Sequence, residues 1–415
     1  MLREEIKREV IAGFTTFFTM AYILVVNPAI LSDAGIPKDG AIFATAVSSF
    51  IATLLVGVYA GLPFALAPGM GLNAYFAYTV CGQMGVSWKT ALTAVFFEGV
   101  IFLIMALFGA RRAIFRALPK SLAYGISSGI GIFIAFIGLK NAGIVESSKE
   151  TLVKLGEISS PPALITLITV IFIGVLERKR GKGSLLLGIV FAVLLSVPLG
   201  LVHKPESVFG IPKPTAALQL NFSHIFSYSI VPVIVAFLLV DVFDTVGTLS
   251  ALSVRMGIPL SDEKLGRALT SDAVGTTVGA LLGTSTVTTY VESASGIAVG
   301  GRTGLTAVTV SLLFLTSLIF YPLISIVPVF ATSPVLIYVG YFMMEPLRKV
   351  EWSDLTESLP AFITFLGIPL TYSISDGMGL GFITYTFLKL LTGRLQDLNP
   401  VLILLTLIFL IKFSL

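Results

Sequence analysis

The stretch Gly283-Thr284-Ser285-Thr286-Val287-Thr288-Thr289-Tyr290-Val291-Glu292 interrupts a chain of long apolar runs, and its reading decides the fold. Thr284 to Thr289 are mostly β-branched and lean extended. A helix is expected to restart near Tyr290, with Glu292 in its first turn. An earlier stretch, Leu62-Pro63-Phe64-Ala65-Leu66-Ala67-Pro68-Gly69-Met70-Gly71-Leu72-Asn73, has the same character by different means. Pro63 and Pro68 each remove a backbone donor and disfavour helix before them, so 62–68 should be extended. A helix can then start between Gly69 and Leu72 and run through Asn73, Tyr75 and Tyr78. Extended backbone at membrane depth is tolerated only where it is buried in protein or lines a cavity. Two half-helix N-termini would therefore face each other near the midplane, offering free N–H groups and positive dipole ends.

The rest of the chain places these stretches in a membrane. Of 415 residues, 55% are hydrophobic and only 12% charged, and the mean hydropathy is +0.96. A globular chain carries about 25% charged residues to cover its wet surface. A soluble multidomain enzyme, a nucleic-acid binder and a disordered chain are thereby excluded. The single cysteine, Cys81, allows no internal disulfide, and two histidines, His203 and His224, argue against a histidine-rich metal site. No cofactor motif is present, and the absence of G-x-x-x-x-G-K-[ST] leaves the chain without its own ATP motor.

Apolar runs able to cross about 30 Å of hydrocarbon lie near 11–32, 41–60, 90–109, 120–139, 161–177, 184–201, 230–254, 265–282, 303–323, 328–344, 358–374 and 377–393. The broken segments 61–80 and 283–300 bring the number to fourteen, and 400–414 is either a short span or a packed tail. The first run is too long for a signal-peptide core and reads as a retained span. With the fourteen threaded in order and the N-terminus inside, 19 Lys and Arg fall on the inner side and 7 on the outer. That bias indicates a cytoplasmic N-terminus, and the expected location is the cell inner or plasma membrane, as a multi-pass protein.

Gly35-Ile36-Pro37 recurs as Gly257-Ile258-Pro259, 222 residues later, and in each half a broken segment follows after one intervening helix. Short interrupted segments at corresponding places of two halves are the best sequence pointer to a transporter binding site. Seven crossings per half is an odd number, so the second half must be inverted.

Charges inside apolar runs are expensive and usually functional. Glu98, Asp241, Asp244 and Glu292 stand out. Asp241 and Asp244 are i, i+3 on one helix and share a face with Thr248. One of Asp244 and Glu292 should accept N–H groups of a polar, uncharged ligand while the other couples transport to protonation. Asp241 is either a second proton-coupling acid or a structural partner to hydroxyls, and Glu98 reads as a helix-packing or supporting group.

Three motifs, Thr288-Thr289-Tyr290-Val291-Glu292, Asp241-Val242-Phe243-Asp244-Thr245-Val246-Gly247-Thr248 and Ala67-Pro68-Gly69-Met70-Gly71-Leu72-Asn73-Ala74-Tyr75, are together similar to the AzgA-type purine permeases. These form a branch of the nucleobase–ascorbate, or nucleobase:cation symporter-2, superfamily, and the resemblance extends through Ser293-Ala294-Ser295-Gly296 to Gly300-Gly301-Arg302-Thr303-Gly304-Leu305. It implies an all-α polytopic membrane protein of fourteen segments in two inverted sevens, with segments 3 and 10 each a short strand plus a half-helix. It also implies a core domain (1–110 and 230–323) and a gate domain (111–201 and 324–398), moving in an elevator-like cycle. An extracellular connection, 202–229, joins the halves, and 399–415 is a C-terminal apolar tail. By family pattern Glu292 binds the base, Asp244 contacts substrate and is linked to the proton, and Asn73 is a polar contact. Homodimers are common in such a family. Asp at 244, where uracil-type members have Glu, leaves room for a bicyclic base.

A purine such as guanine, hypoxanthine or adenine has N–H donors on one edge and acceptors on others. Carboxylates take the donors, half-helix N–H groups serve the acceptors, and Phe243, Tyr75 or Tyr290 can stack on the ring. The partners expected are therefore a purine nucleobase, a coupling proton and the bilayer. Sodium remains an alternative coupling ion, since a carboxylate with the Thr245 or Thr248 hydroxyl binds either cation. An intramembrane aspartyl protease would need Tyr-Asp and Gly-x-Gly-Asp settings, which are missing. An anion exchanger of the related sulfate-transporter fold is disfavoured because an acid at 292 repels anions.

Overall fold

The computed structural model describes residues 2–108, 119–179, 183–202, 204–205, 207–223, 230–257 and 262–414. Arg111, Arg112, Arg116, Arg180, Lys182, both histidines, Ile258 and Pro259 lie outside these, as does the side chain of Phe243.

Helices occupy the apolar runs. The first run is divided by a break at Ala21-Tyr22 into α1 (Leu2–Met20) and α2 (Ile23–Asp33), a feature its continuous apolar character does not announce. There follow α3 (Lys38–Leu55), continued by a π-helical turn Val56–Ala60, and, after the first interruption, α4 (Met70–Ala74) continued by a π-helix Tyr75–Gln83. Next come α5 (Trp88–Phe108), α6 (Lys120–Asn141), α7 (Pro161–Arg178) and α8 (Ser184–Ser196). The second half holds α9 (Val231–Met256), α10 (Asp262–Leu282), α11 (Ser293–Ala298), α12 (Gly304–Ser317), α13 (Tyr321–Ser325), α14 (Ser333–Phe342), α15 (Leu355–Thr371), α16 (Ile374–Leu391) and α17 (Pro400–Ser414). Among the described residues, six helical stretches are long and apolar enough to cross a membrane, beginning at Arg3, Lys38, Trp88, Lys120, Pro161 and Val231. Four shorter helices, α8, α12, α15 and α17, are also apolar, and the whole is a multi-pass membrane protein.

The two interruptions are strands, and they find each other. β1 (Leu66–Pro68) and β4 (Val287–Thr289) pair antiparallel, with Leu66 opposite Thr289, Ala67 opposite Thr288 and Pro68 opposite Val287. The Gly69 N–H donates to Thr286 O at 3.0 Å and the Tyr290 N–H to Ala65 O at 2.9 Å, extending the ladder at both ends. A two-stranded ribbon has two open edges, which hydrocarbon cannot satisfy. Thr53 of α3 closes one: its Oγ1 accepts the Leu66 N–H and donates to Leu66 O, both at 2.9 Å. Thr276 of α10 closes the other, accepting the Val287 N–H at 3.1 Å and donating to Val287 O at 2.9 Å.

Regular strand is confined to three residues on each side, and the second half-helix starts later than expected. The chain turns at Val291 and Glu292, and α11 begins at Ser293, so Glu292 stands at the N-cap position instead of inside the first turn. The reason is local. The Ser293 hydroxyl donates to Tyr290 O at 2.7 Å and accepts the Ala65 N–H at 3.0 Å, holding a tight turn between strand and helix. Because the strands are antiparallel, α4 and α11 leave from opposite ends of the ribbon. Their N-termini are thus offset by its length, about 10 Å for three residues.

Two groups of helices can be followed through the packing. In one, α3 lies against α10 and α12, α12 against α1, and α5 against α9 and α10. In the other, α6 lies between α14 and α15, α16 against α15, and α7 between α8 and α14. Backbones approach closely within each group, as small residues permit. A Cβ added at Gly304 would collide with Gly57 O, and one at Gly340 would collide with Gly131 O. Glu9 of α1 accepts the N–H groups of Arg302 and Thr303 at 3.0 and 3.2 Å, serving the N-terminus of α12. The tail helix α17 packs on α16: Phe409 stacks on Phe382 at 5.7 Å, and Lys412 Nζ reaches Asp376 Oδ1 at 2.5 Å. Between α6 and α7 the chain forms a hairpin of β2 (Val145–Ser148) and β3 (Leu152–Leu155).

Candidate functional site

A cavity of about 970 Å³ lies between the two helix groups. From the first group it is lined by Tyr22 at the α1–α2 break, by Gly69 to Leu72, by Asp244, Gly247 and Thr248 of α9, and by Thr288 to Glu292. From the second it is lined by Ala123, Ile126 and Ile130 of α6 and by Val339, Phe342 and Met343, with Lys120 and Lys349 also on its wall. Strand-to-helix turns of both halves therefore reach one space, as the interruptions in the sequence suggested.

Glu292 and Asp244 both line this cavity. Tyr22, fully buried, donates its hydroxyl to Glu292 Oε1 at 2.6 Å. One carboxylate oxygen of Glu292 is thereby occupied and oriented by a residue 270 positions away. The break that creates the position is the one the apolar run concealed; a tyrosine in mid-span was the available signal. Tyr290 lines the cavity too, and its hydroxyl donates to Pro68 O at 2.6 Å, tying the end of β4 to the end of β1. The Thr288 and Thr245 hydroxyls meet at 2.9 Å behind it.

The structure separates the remaining sequence candidates from this wall. Asn73 is fully buried and does not line the cavity. Its Oδ1 accepts from the Ser285 hydroxyl and its Nδ2 donates to Pro68 O at 3.4 Å, so it ties the two interruptions together. Tyr75 is also fully buried, edge-on to Phe237 with ring centroids 4.9 Å apart, and faces away from the cavity. Both displacements have one cause: α4 begins at Met70, so its first turn, Met70 to Leu72, meets the cavity and the following residues rotate into the protein. Asp241 differs from Asp244 in depth. It is fully buried and absent from the cavity wall, although one turn away on the same helix.

Behind β4, Asp241 belongs to a second acidic group. Glu98 of α5, Asp241 of α9 and Asp272 of α10 are each fully buried. Thr245 Oγ1 donates to Asp272 Oδ2 at 2.8 Å, Thr289 Oγ1 reaches the same oxygen at 3.3 Å, and Thr286 Oγ1 donates to Glu98 Oε2 at 3.2 Å. Asp272 was missed in the sequence because its surroundings, Thr270-Ser271-Asp272, look polar; its place within the apolar run 265–282 was the clue.

Known proteins share both the sequence and the fold that build this site. The model of the permease family, the xanthine/uracil permeases, matches residues 7–380. The chain is 42% identical to the adenine permease AdeP of Escherichia coli, over 98% of this chain and 92% of that protein. It is 41% identical to the guanine/hypoxanthine permease PbuO of Bacillus subtilis, over 98% and 97%. Among solved structures, the transmembrane domain of the cyanobacterial bicarbonate transporter BicA superposes with a TM-score of 0.68 at 16% identity, over 89% of this chain and 97% of that one. SLC26A9 superposes with a TM-score of 0.66 at 12% identity, over 92% and 64%. These two establish likeness of fold. The extent of the sequence matches settles membership: the chain belongs to the xanthine/uracil permease family, whose members are membrane permeases and not enzymes.

Proposed function

We propose that this protein is a secondary active transporter that imports purine nucleobases such as guanine, hypoxanthine or adenine together with a proton. The observation that carries the reading is the pair of carboxylates, Asp244 and Glu292, on the wall of one cavity beside strand-to-helix turns of both halves. A neutral, planar base presents N–H donors to the carboxylates and ring acceptors to the backbone N–H groups at Met70 to Leu72. Tyr290 is the aromatic candidate on the wall. The names of AdeP and PbuO support a purine. An anion would meet two acids there, so transport of an anion, such as the bicarbonate in BicA's name, fits this cavity poorly.

The architecture we assign is fourteen segments in two inverted sevens, with a core (1–110 and 230–323) that slides against a gate (111–201 and 324–398). The antiparallel β1–β4 ribbon, capped at its two edges by Thr53 and Thr276, supports a two-fold relation between the halves. The cavity's position between two helix groups supports elevator-like movement. Asp244, facing the cavity, and Asp241, one turn behind it, are the proton-coupling acids in this reading. Uptake of radiolabelled purines into proteoliposomes tests it, with uracil, xanthine and sulfate as competitors. Accumulation driven by an inward proton gradient is expected; accumulation that needs sodium and ignores pH overturns the coupling, and sulfate exchange without purine uptake overturns the class.

A further inference from the structure

The acidic group behind β4 is not part of the cavity wall, yet it gathers three carboxylates from three helices at zero exposure. Fully ionised, such a group is untenable: burial of each charge is costly and neighbouring like charges add to the cost. None of the ion pairs among the described residues reaches Glu98, Asp241 or Asp272. The Glu98 and Asp241 carboxyl groups are close neighbours, on helices that pack against each other. Glu98 Oε1, Asp241 Oδ2 and Asp272 Oδ1 are fully buried oxygens that meet no protein donor among the described residues. Two neighbouring carboxyl groups with unpartnered oxygens are relieved of both charge and unmet acceptor capacity by a shared proton, whereas a bridging water would leave both charges in place. Orphaned buried polar atoms of this kind demand an explanation.

We infer that Glu98 and Asp241 form a proton-binding site behind the strand pair, with Asp272 as its third acid, separate from the carboxylates that line the cavity. One proton occupies the gap as an O–H on one carboxyl donating to the other, so two negative charges become one. Hydroxyls hold the second oxygen of two of the acids: Thr286 that of Glu98, and Thr245 and Thr289 that of Asp272. The charged groups that face one another here are Glu98 from α5, Asp241 and Asp244 from α9, and Asp272 from α10, all acidic. Thr245 connects the site to the cavity side, since its hydroxyl lies 2.9 Å from Thr288 Oγ1 and Thr288 lines the cavity. A base arriving at Asp244 and Glu292 thus changes the field one helical turn from the stored proton. This inference deepens the proton coupling proposed above and rests on it for its role in transport, while the site itself does not.

Two measurements separate these levels. The infrared spectrum of the wild-type protein in lipid is expected to carry a protonated carboxyl C=O band that is lost in Glu98→Gln, since the introduced amide would donate to Asp241 in the proton's place. Asp241→Asn reports the same band from the other partner should the first variant fold poorly. A spectrum in which both variants retain the wild-type band overturns the site. In proteoliposomes loaded with hypoxanthine, Glu98→Gln is expected to keep hypoxanthine counterflow but to lose gradient-driven accumulation by about tenfold, the scale of a coupling free energy. Accumulation at the wild-type level, or joint loss of counterflow and accumulation, overturns the coupling role. A wild-type protein with the band but no hypoxanthine counterflow leaves the site standing and refutes the purine reading instead.

Discussion

A carboxylate placed at membrane depth needs partners, and the partners of Glu292 show how this protein provides them. The Tyr22 hydroxyl satisfies one oxygen, and the other side of the group faces the cavity. Glu292→Gln replaces half of the acceptor capacity with donors facing donors. Purine binding measured by equilibrium dialysis should fall about a hundredfold, the scale of a charged hydrogen bond lost with its partner left unpaired. Tyr22→Phe removes one donor without disturbing packing and should weaken binding about tenfold. Unchanged affinity in the first variant would remove Glu292 from the site. At this scale the sequence was informative about charge and poor about aim. Asp244 and Glu292 stood out as acids in apolar runs, but Asn73 and Tyr75 were placed on the cavity and face elsewhere. Which way a side chain points from a half-helix depends on where the preceding strand ends, and no periodicity records that.

Among the elements, the strand pair carries the sharpest requirement. Thr53 and Thr276 each satisfy both an N–H and a C=O on an otherwise open ribbon edge. Thr53→Val and Thr276→Val preserve shape and orphan two backbone groups apiece. Each should lower stability by about 1–3 kcal/mol, read as thermal unfolding in detergent, with Ser at either position restoring most of it. A second element-scale test is pH. At the start of α15, Asp354 is held down to about 2 from its ordinary 3.8, chiefly by its hydrogen bond from Arg394 and then by the Thr356 hydroxyl and N–H. The folded state therefore gives up this proton more readily than the unfolded chain. The contribution is complete above 3.8 and disappears as pH falls through about 2. Asp354→Asn should unfold at a lower temperature than wild type near neutral pH. The gap should close over that acid window, and a gap of constant size would exclude Asp354 as its source.

Over the whole molecule, orientation is the property that the charge pattern addresses most directly. In a Cys81→Ser background, a cysteine at Lys349 should react with a membrane-impermeant thiol reagent only from the cytoplasmic side, and one at Lys213 only from outside. The reverse labelling would invert the topology. The bias of basic residues has force because moving Lys or Arg across hydrocarbon is costly at every loop, so the sum over many loops decides.

The apolar runs, the interruptions after Gly61 and Gly283 and the scarcity of charge were all legible along the chain, because each is a local property of composition and backbone preference. They sufficed for a helical membrane protein with two broken segments and for acids worth testing. Only the tertiary structure paired β1 with β4, capped their edges with Thr53 and Thr276, brought Tyr22 to Glu292, and set Glu98 against Asp241. Each of these joins residues far apart in sequence, and in hydrocarbon the demand that every buried polar group find a partner is met across the fold, not along the chain.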